Sequence, residues 1–448
     1  MVVHKHMHQN NATLNKELYI AQLHHVNETI LLKRPDRHGQ IILLHDNASS
    51  RFSQIVKAAL QELEWKCAYH RDFNKISNSN FLDFSDSKKE FYVLLNSFSQ
   101  FSKMTYATDF VKEKLIEQIA KPATKSKRKV TVVGSGQVGI ATVISILAQN
   151  VSNEVCIIDA NEKLVNAEAK DIQHGSAFLR DAKVIASKDY ESSKDSAVCI
   201  VTAGARQKEG QTRLDLLKTN VDILSQIVPQ LVKYSPKTVI VMITNPCDVL
   251  TYAAWKLSGL PVERVFATGT HLDTSRFRYF IAQRLGVSAS SVQGYIIGEH
   301  GDSSVPVWSG VSVGGVRFSD LNKCIGSEGD TDGWNEIHKQ VVKAAYEVIA
   351  GKGYTNWAIG LTAASVASMI LDNKNEVATV STLAKDHQCI EQDVFLSLPV
   401  VIGANGITSF VNLQLSEMEQ KNLCKSAEIL DKATKSISEK SAENKKKK

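Results

Sequence analysis

The sequence predicts an α/β fold, a doubly wound parallel sheet followed by an α+β domain, and three observations carry that expectation. Apolar runs at 129–133, 154–158, 197–202 and 238–243 recur between helical stretches, the alternation of a parallel sheet with crossover helices. The first run leads straight into Gly134-Ser135-Gly136-Gln137-Val138-Gly139 and then into a helical stretch at 140–147. The second run ends at Asp159, about twenty residues beyond the last of those glycines.

Together these read as a Rossmann-type dinucleotide site. Gly134 permits the tight turn, Gly136 lets the backbone approach a pyrophosphate, and Gly139 lets the helix pack closely, so the phosphates meet a helix N-terminus. The Asp159 carboxylate can accept both ribose hydroxyls. That favours NAD over NADP, because a 2′-phosphate would be repelled and no arginine lies beside it in the chain. The bland alternative, a glycine turn in some other α/β protein, has to explain strand, helix and acid all in their places.

The chain before this unit has a different texture. Residues 1–103 are polar and rich in Asn, Ser and His, and only 39–70 looks foldable: a buried strand at 40–44, then a helix with Ile55, Val56, Ala59, Leu60 and Leu63 on one face. The stretch 72–103 has no sustained period, so a partly disordered N-terminal extension is expected. From Asp109 the spacing of Val111, Leu115, Ile116 and Ile119 predicts a capped amphipathic helix that Pro122 ends. A polar linker runs through Arg128. The dinucleotide domain is expected over 129–270 and the α+β domain over 271–437, the latter with an amphipathic helix at 334–349 and a last helix at 415–437. A basic tail, 438–448, is expected to fray.

Composition narrows the function classes. Of 448 residues, 43% are hydrophobic and 22% charged, an ordinary globular balance. The apolar runs are too short to span a bilayer and the first thirty residues lack a signal-peptide core, so cytoplasm is expected and no membrane partner. Seven scattered cysteines without a CxxC pair indicate neither a disulfide frame nor a metal site. The net charge of +6 comes from clusters at 125–129 and 445–448 with no interleaved aromatics, which reads as linker and tail and argues against nucleic-acid binding.

The run Gly298-Glu299-His300-Gly301-Asp302-Ser303 sets one histidine in a polar turn after Tyr295-Ile296-Ile297. An imidazole can give and take a proton near neutral pH, and flanking glycines let a small substrate approach. A lone histidine in such a turn is more often structural than catalytic, so its partners decide.

Those partners come with a resemblance. Besides the glycine run, Val201-Thr202-Ala203-Gly204-Ala205-Arg206-Gln207, Thr244-Asn245-Pro246, Leu272-Asp273-Thr274-Ser275-Arg276-Phe277-Arg278, the His300 turn and Gly353-Tyr354-Thr355-Asn356-Trp357 resemble the NAD-dependent lactate/malate dehydrogenase family, over 129–436. The resemblance implies a cytoplasmic oxidoreductase of glycolysis that moves a hydride between NADH and a 2-oxo acid. His300 would be the proton donor, oriented by Asp273, and Arg276 would clamp the substrate carboxylate. Asn245 and Thr355 would complete the polar wall. The loop 207–213 would be a lid from which Arg213 polarises the ketone. Gly134, Gly136, Gln137, Val138, Gly139, Asp159, Thr202, Ala203, Gly204, Arg206 and Asn245 would line the cofactor. Gln207 stands where malate dehydrogenases carry arginine, so a dicarboxylate would leave a charge unpaired and pyruvate/L-lactate is favoured.

Two alternatives stay open: a malate or other 2-hydroxy acid dehydrogenase, and an NAD-binding protein with impaired catalysis. Without the resemblance, Asp273 and Arg276 would read as a surface salt bridge. His271 departs from the family, which usually has asparagine there, and its imidazole either perturbs the His300–Asp273 pair or packs harmlessly.

Residues 104–115 resemble the N-terminal arm of the same family, which embraces neighbouring subunits, so a homotetramer is implied, 104–128 is an oligomerisation arm and linker, and Met104 reads as an original start. Within the preceding residues, 22–65 resemble a fragment of a mariner-type transposase, with Asp46 matching one of its three metal-binding carboxylates. The other two are missing. Two-metal phosphoryl chemistry cannot be built from one carboxylate, so DNA cleavage is not expected and the segment reads as a relic.

Overall fold

A computed structural model describes residues 114–120, 128–205, 213–388 and 390–446, and ten of its strands form one sheet. In chain order they are β1 (Ile116–Gln118), β2 (Val130–Val133), β3 (Glu154–Ile158), β4 (Lys183–Ser187), β5 (Val198–Val201), β6 (Val239–Met242), β7 (Val265–Ala267), β8 (Glu376–Leu383), β9 (Phe395–Gly403) and β10 (Gly406–Val411). Across the sheet the order is β4-β3-β2-β5-β6-β7-β8-β9-β10-β1. The first six are mutually parallel. They follow the doubly wound order, which reverses between β2 and β5. From β8 onward the pairing is antiparallel, joined to the parallel half at Ala267↔Ser381. The predicted parallel sheet and α+β continuation are both present, fused edge to edge.

Strands β2, β5 and β6 read VTVV, VCIV and VIVM and are buried throughout. A parallel sheet carries helices on both faces, so its central strands have no solvent side and no reason to alternate. Thr131, the one polar residue among them, bonds the Ser196 hydroxyl at 2.7 Å.

Helices α1 (Gln137–Ala148), α2 (Glu162–His174), α3 (Arg213–Tyr234) and α4 (Cys247–Ser258) connect the parallel strands. The helix α5 (His271–Leu285) follows β7, while α6 (Asn335–Lys352), α7 (Trp357–Leu371) and α8 (Glu417–Lys446) belong to the second half. Much of α1 is buried, because α7 covers the side that the sheet does not. The helices approach so closely that a Cβ on Gly360 would lie 2.6 Å from the Ala141 carbonyl. A smaller apolar cluster, centred on Phe277, Ile296 and Trp308, holds α5 against the second half, with Phe277 and Trp308 ring centroids 4.9 Å apart.

Three expectations are revised. The helix read from Asp109 to Ile119 does not continue: Lys114 and Leu115 are helical, but 116–118 are strand β1, in register with β10 through Ile116↔Val411. The open edge of β10 offers backbone partners that local helical spacing cannot match, and Leu115 and Ile119 are left exposed. The last helix runs to Lys446 instead of ending near 437, and the expected frayed tail is helical up to that residue. The run 438–446 contains no glycine or proline to stop it. The helix read at 334–349 is shifted, ending only where Gly353 adopts φ 82° as its cap. The strand and helix read at 39–70, the transposase-like stretch with Asp46, and 72–103 lie outside the described residues. Among the described residues no helix is long and apolar enough to cross a membrane.

Because the obstacle at Gly360 is backbone, Gly360→Ala must push α7 away from α1. The expected cost is about 1–3 kcal/mol, read as a lower urea midpoint at unchanged slope. An unchanged midpoint would show that the two helices are not in this contact.

Candidate active site

The glycine turn forms where the strand order reverses. Gly134 follows β2 at φ 105°, a left-handed conformation that side-chain-bearing residues avoid. Its N–H is held by the Ile158 carbonyl at 2.7 Å, and a Cβ there would strike Thr202 Oγ1 at 2.7 Å and Ala203 N at 2.9 Å. Gly136 caps α1 with open space where a side chain would stand, so the first amides of α1, which have no partner within the helix, are approachable. Gly139 sits against Gly134, with a Cβ position 1.8 Å from its carbonyl oxygen.

Beside the turn lies a cleft of about 990 Å³, lined by Gly134, Gly136, Gln137, Val138, Gly139, Asp159, Thr202, Ala203, Gly204, Asn245 and Thr355 among others. Asp159 ends β3 with its carboxylate fixed by the Ser135 amide at 2.7 Å, the Ser135 hydroxyl at 2.9 Å and the Asn161 amide at 2.8 Å. Lys188 lines the same end but is paired with Glu162 at 2.9 Å. A backbone cradle at a helix N-terminus, with an anchored carboxylate at the neighbouring strand end, fits a dinucleotide with an unphosphorylated ribose.

A second cleft, of about 870 Å³, contains Asp273, Arg276 and His300. Both clefts are lined by Asn245, Leu216 and Ile349, so they share a wall. His300 lies in the loop between the short strands Ile296–Ile297 and Val305–Pro306, which pair antiparallel. Gly298, at φ 85°, exchanges two backbone hydrogen bonds with Ser397 of β9 at 2.9 and 2.8 Å, pinning the start of the loop to the large sheet. The Glu299 amide donates to the Ser426 hydroxyl of α8 at 2.9 Å, and the His300 amide to Asp248 Oδ2 of α4 at 2.9 Å.

Asp273 and Arg276 come from the first turns of α5. Thr274 Oγ1 accepts from the Ile296 amide at 3.0 Å, and the Thr270 hydroxyl donates to the Ile296 carbonyl at 2.5 Å, strapping this helix to the hairpin that carries His300. As a result the Nδ1–H of His300 donates to Asp273 Oδ2 at 2.6 Å, and Arg276 donates to Asp273 Oδ1 at 2.9 Å. The Asp273 and Arg276 side chains are 9% and 17% exposed, so this is no surface salt bridge.

Burial opposes charge on His300, but the charge and hydrogen bond of Asp273, with the charge of Asp248, outweigh it and push the imidazole up to about 9. Burial likewise opposes the Asp273 carboxylate, and the His300 and Arg276 partners still hold it below its ordinary value. The side chain of His300 keeps 25% of its surface, on the cleft that it lines. His271, first residue of α5, is held neutral by burial and the charge of Arg278, with its pKa down at about 4. It therefore adds no charge to the pair.

The predicted residues thus gather at two clefts with one wall. Thr355 stands in the dinucleotide cleft, not among the residues around His300. Arg206 and Gln207 lie outside the described residues; Arg213 opens α3, its side chain outside them too. Sequence reading missed three residues. Asp248 is a buried carboxylate under the His300 loop. The buried Asn220 ties the Ala205 amide, at 2.7 Å, to the Asn245 carbonyl, at 3.2 Å. His338 Nε2 meets the Ser304 hydroxyl at 3.0 Å within the His300 cleft. No local pattern in the sequence marks any of the three, since their partners lie 15 to 52 residues away.

Comparison with known proteins agrees with this geometry. Residues 128–267 match the family described as lactate/malate dehydrogenase, NAD binding domain, and residues 270–441 its alpha/beta C-terminal domain. Similar curated proteins are the L-lactate dehydrogenase B chains of Gallus gallus and Sceloporus woodi, each 51% identical over 320 residues, and of Homo sapiens, 49% identical over 321. Each alignment covers 71% of this chain and 96% of the relative. The chain belongs to the lactate/malate dehydrogenase family, and its first matched half is an NAD-binding domain.

Gly139→Ala would force α1 away from the turn, since the obstacle is a backbone carbonyl. NADH titration by fluorescence is expected to show at least about tenfold weaker binding, and an unchanged Kd would contradict the cradle.

Proposed function

We propose that the protein is an NAD-dependent L-lactate dehydrogenase, interconverting pyruvate, NADH and a proton with L-lactate and NAD+. The observation that supports this best is the buried Asp273 bridging His300 and Arg276 in a cleft that shares Asn245 with the glycine cradle. The bound nicotinamide supplies or accepts the hydride. Everything else falls to side chains of this chain.

In the direction of reduction, His300 enters protonated, since its pKa of about 9 keeps the imidazolium at neutral pH. With Nδ1–H on Asp273, the other nitrogen is free to donate a proton to the ketone oxygen. In the reverse direction the neutral imidazole accepts the hydroxyl proton of lactate, and Asp273 stabilises the cation that forms. Arg276 spends one N–H on Asp273 and offers the remainder of its planar fork to the substrate carboxylate. Arg213, the first residue of α3, polarises the ketone, and Asn245 supplies the polar wall that the two clefts share, with Thr355 on its dinucleotide side. Arg206 contacts the cofactor.

The curated relatives are named L-lactate dehydrogenases, and Gln207 supports the same choice: a neutral amide gives the second carboxylate of oxaloacetate no partner. The arm at 104–128 favours a homotetramer, and the soluble dehydrogenase fold favours a cytoplasmic enzyme of glycolysis.

Initial rates of NADH oxidation with pyruvate and with oxaloacetate test the proposal. The natural protein should prefer pyruvate, and Gln207→Arg should move the ratio of kcat/KM towards oxaloacetate by about tenfold or more. Absence of pyruvate turnover would end the reading, and an unmoved ratio would end the role of Gln207.

A further inference from the structure

The carboxylate of Asp248 is an unusual thing to find beneath a proton-transfer loop. Its side chain is buried in the first turn of α4, three residues after Asn245. Asp248 Oδ2 accepts from the His300 amide at 2.9 Å. The equally buried Ser381 hydroxyl of β8 acts on the Asp248 carboxylate, but neither it nor Asp248 Oδ1 completes a hydrogen bond of good geometry among the described residues. An unsatisfied buried carboxylate oxygen is costly, and a structural anchor for one N–H would be served as well by a neutral amide or hydroxyl.

We propose that Asp248 is a positioning residue of the site: one carboxylate oxygen fixes the main chain of His300, and the buried charge stands as a second anion behind the imidazole. This rests on His300 being the proton-transfer group. Asp273 then orients the ring from α5 through its Nδ1, while Asp248 places the backbone from α4, the helix that follows Asn245. One short segment, 245–248, sets both the polar wall and the height of the histidine above it.

The groups facing Asp248 bear this out. The His300 loop brings Glu299 and the His300 imidazole; α4 itself brings Cys247, whose thiol burial and the charges of Asp248, Asp273 and Glu299 push well above its ordinary value; β8 brings only the Ser381 hydroxyl. The cation acting on Asp248 is His300, and the charge of Asp248 in turn raises the pKa of His300. Burial, outweighing the Ser381 and His300 contacts, lifts Asp248 to about 6. The sign is that of a raised carboxylate: the charge is present above about pH 6 and lost below it. An alkaline limb near 9 therefore belongs to His300, while the loss of charge on Asp248 near 6 perturbs the imidazole without deprotonating it.

Asp248→Asn separates the two roles, because its amide oxygen can still accept from the His300 N–H while the charge is gone. The full-length protein is titrated by NMR of the His300 imidazole, assigned by loss of its signal in His300→Gln, and by the pH profile of kcat/KM for pyruvate. In Asp248→Asn the His300 titration, and with it the alkaline limb of the profile, should move down from about 9, and any inflection of the His300 signals near 6 should vanish. Asp248→Ala should shift the titration likewise and also lower kcat by about tenfold or more, as the loop loses its anchor. In the unsubstituted protein the His300 signals should show a second inflection near pH 6, a readout that holds even where a variant does not fold. An unmoved His300 titration in Asp248→Asn, or no second inflection in the unsubstituted protein, overturns the proposal. Because the imidazole is observed directly, failure to turn over pyruvate would count against the proposed substrate and not against Asp248.

Discussion

Asp273 carries two partners on two oxygens, and the rest of the site is arranged so that it can. A carboxylate taken out of water is stable only if its lone pairs are filled and its charge is met. His300 Nδ1 at 2.6 Å and the Arg276 guanidinium at 2.9 Å do both. Arg276 and burial lower the pKa of His300, and the shared aspartate, helped by the charge of Asp248, turns that into a net preference for the imidazolium. Removing Asp273 would leave the Arg276 cation buried without its partner and the His300 imidazole without the main charge that keeps it protonated. The threonine straps from α5 to Ile296 and the Gly298 bridge to β9 exist at this spot because an ångström of slack would break the arrangement.

The large sheet connects this electrostatic knot to the dinucleotide cradle. Its parallel half ends its strands at the glycine turn and at Asp159. Its antiparallel half supplies Ser397 beneath the histidine loop. Asn245, emerging after β6, faces both clefts, and the buried amide of Asn220 holds it there. A dinucleotide in the cradle and a small molecule beside His300 would be neighbours across that common wall. Alignment of the two sites is thus a property of one continuous sheet.

What was legible in the sequence was what is local or periodic. The strand, glycine turn, helix and acid of the cradle lie within one βαβ unit, and each has a backbone reason for its residue type. Asp273 and Arg276 sit three apart on one helix, so their common face could be read, although their burial could not. His300 was legible as a polar turn, but its partner lies 27 residues away, and a shared motif rather than spacing linked them. Non-local geometry stayed hidden. Ile116–Gln118 kept a helical spacing in sequence yet paired with the edge of β10. Gly360 gave no sign of lying on the backbone of α1. Asp248 was not singled out in the sequence at all, and only the fold shows it under a loop 52 residues on.

Asp273 holds His300 as a buried imidazolium. The pKa of His300 is raised from an ordinary 6.5 to about 9. Its stabilising contribution should therefore be complete below about pH 6.5 and lost as pH rises through 9. The direct measurement is the urea unfolding free energy of the natural protein minus that of Asp273→Asn, at fixed protein concentration, from pH 6 to 10. The difference should be largest at pH 6 and fall by about 2–3 kcal/mol across the range, with about half of it lost by about pH 8 and nearly all of it by about pH 9. A difference that does not vary with pH would mean that His300 is neutral in the folded protein, and the account would fail.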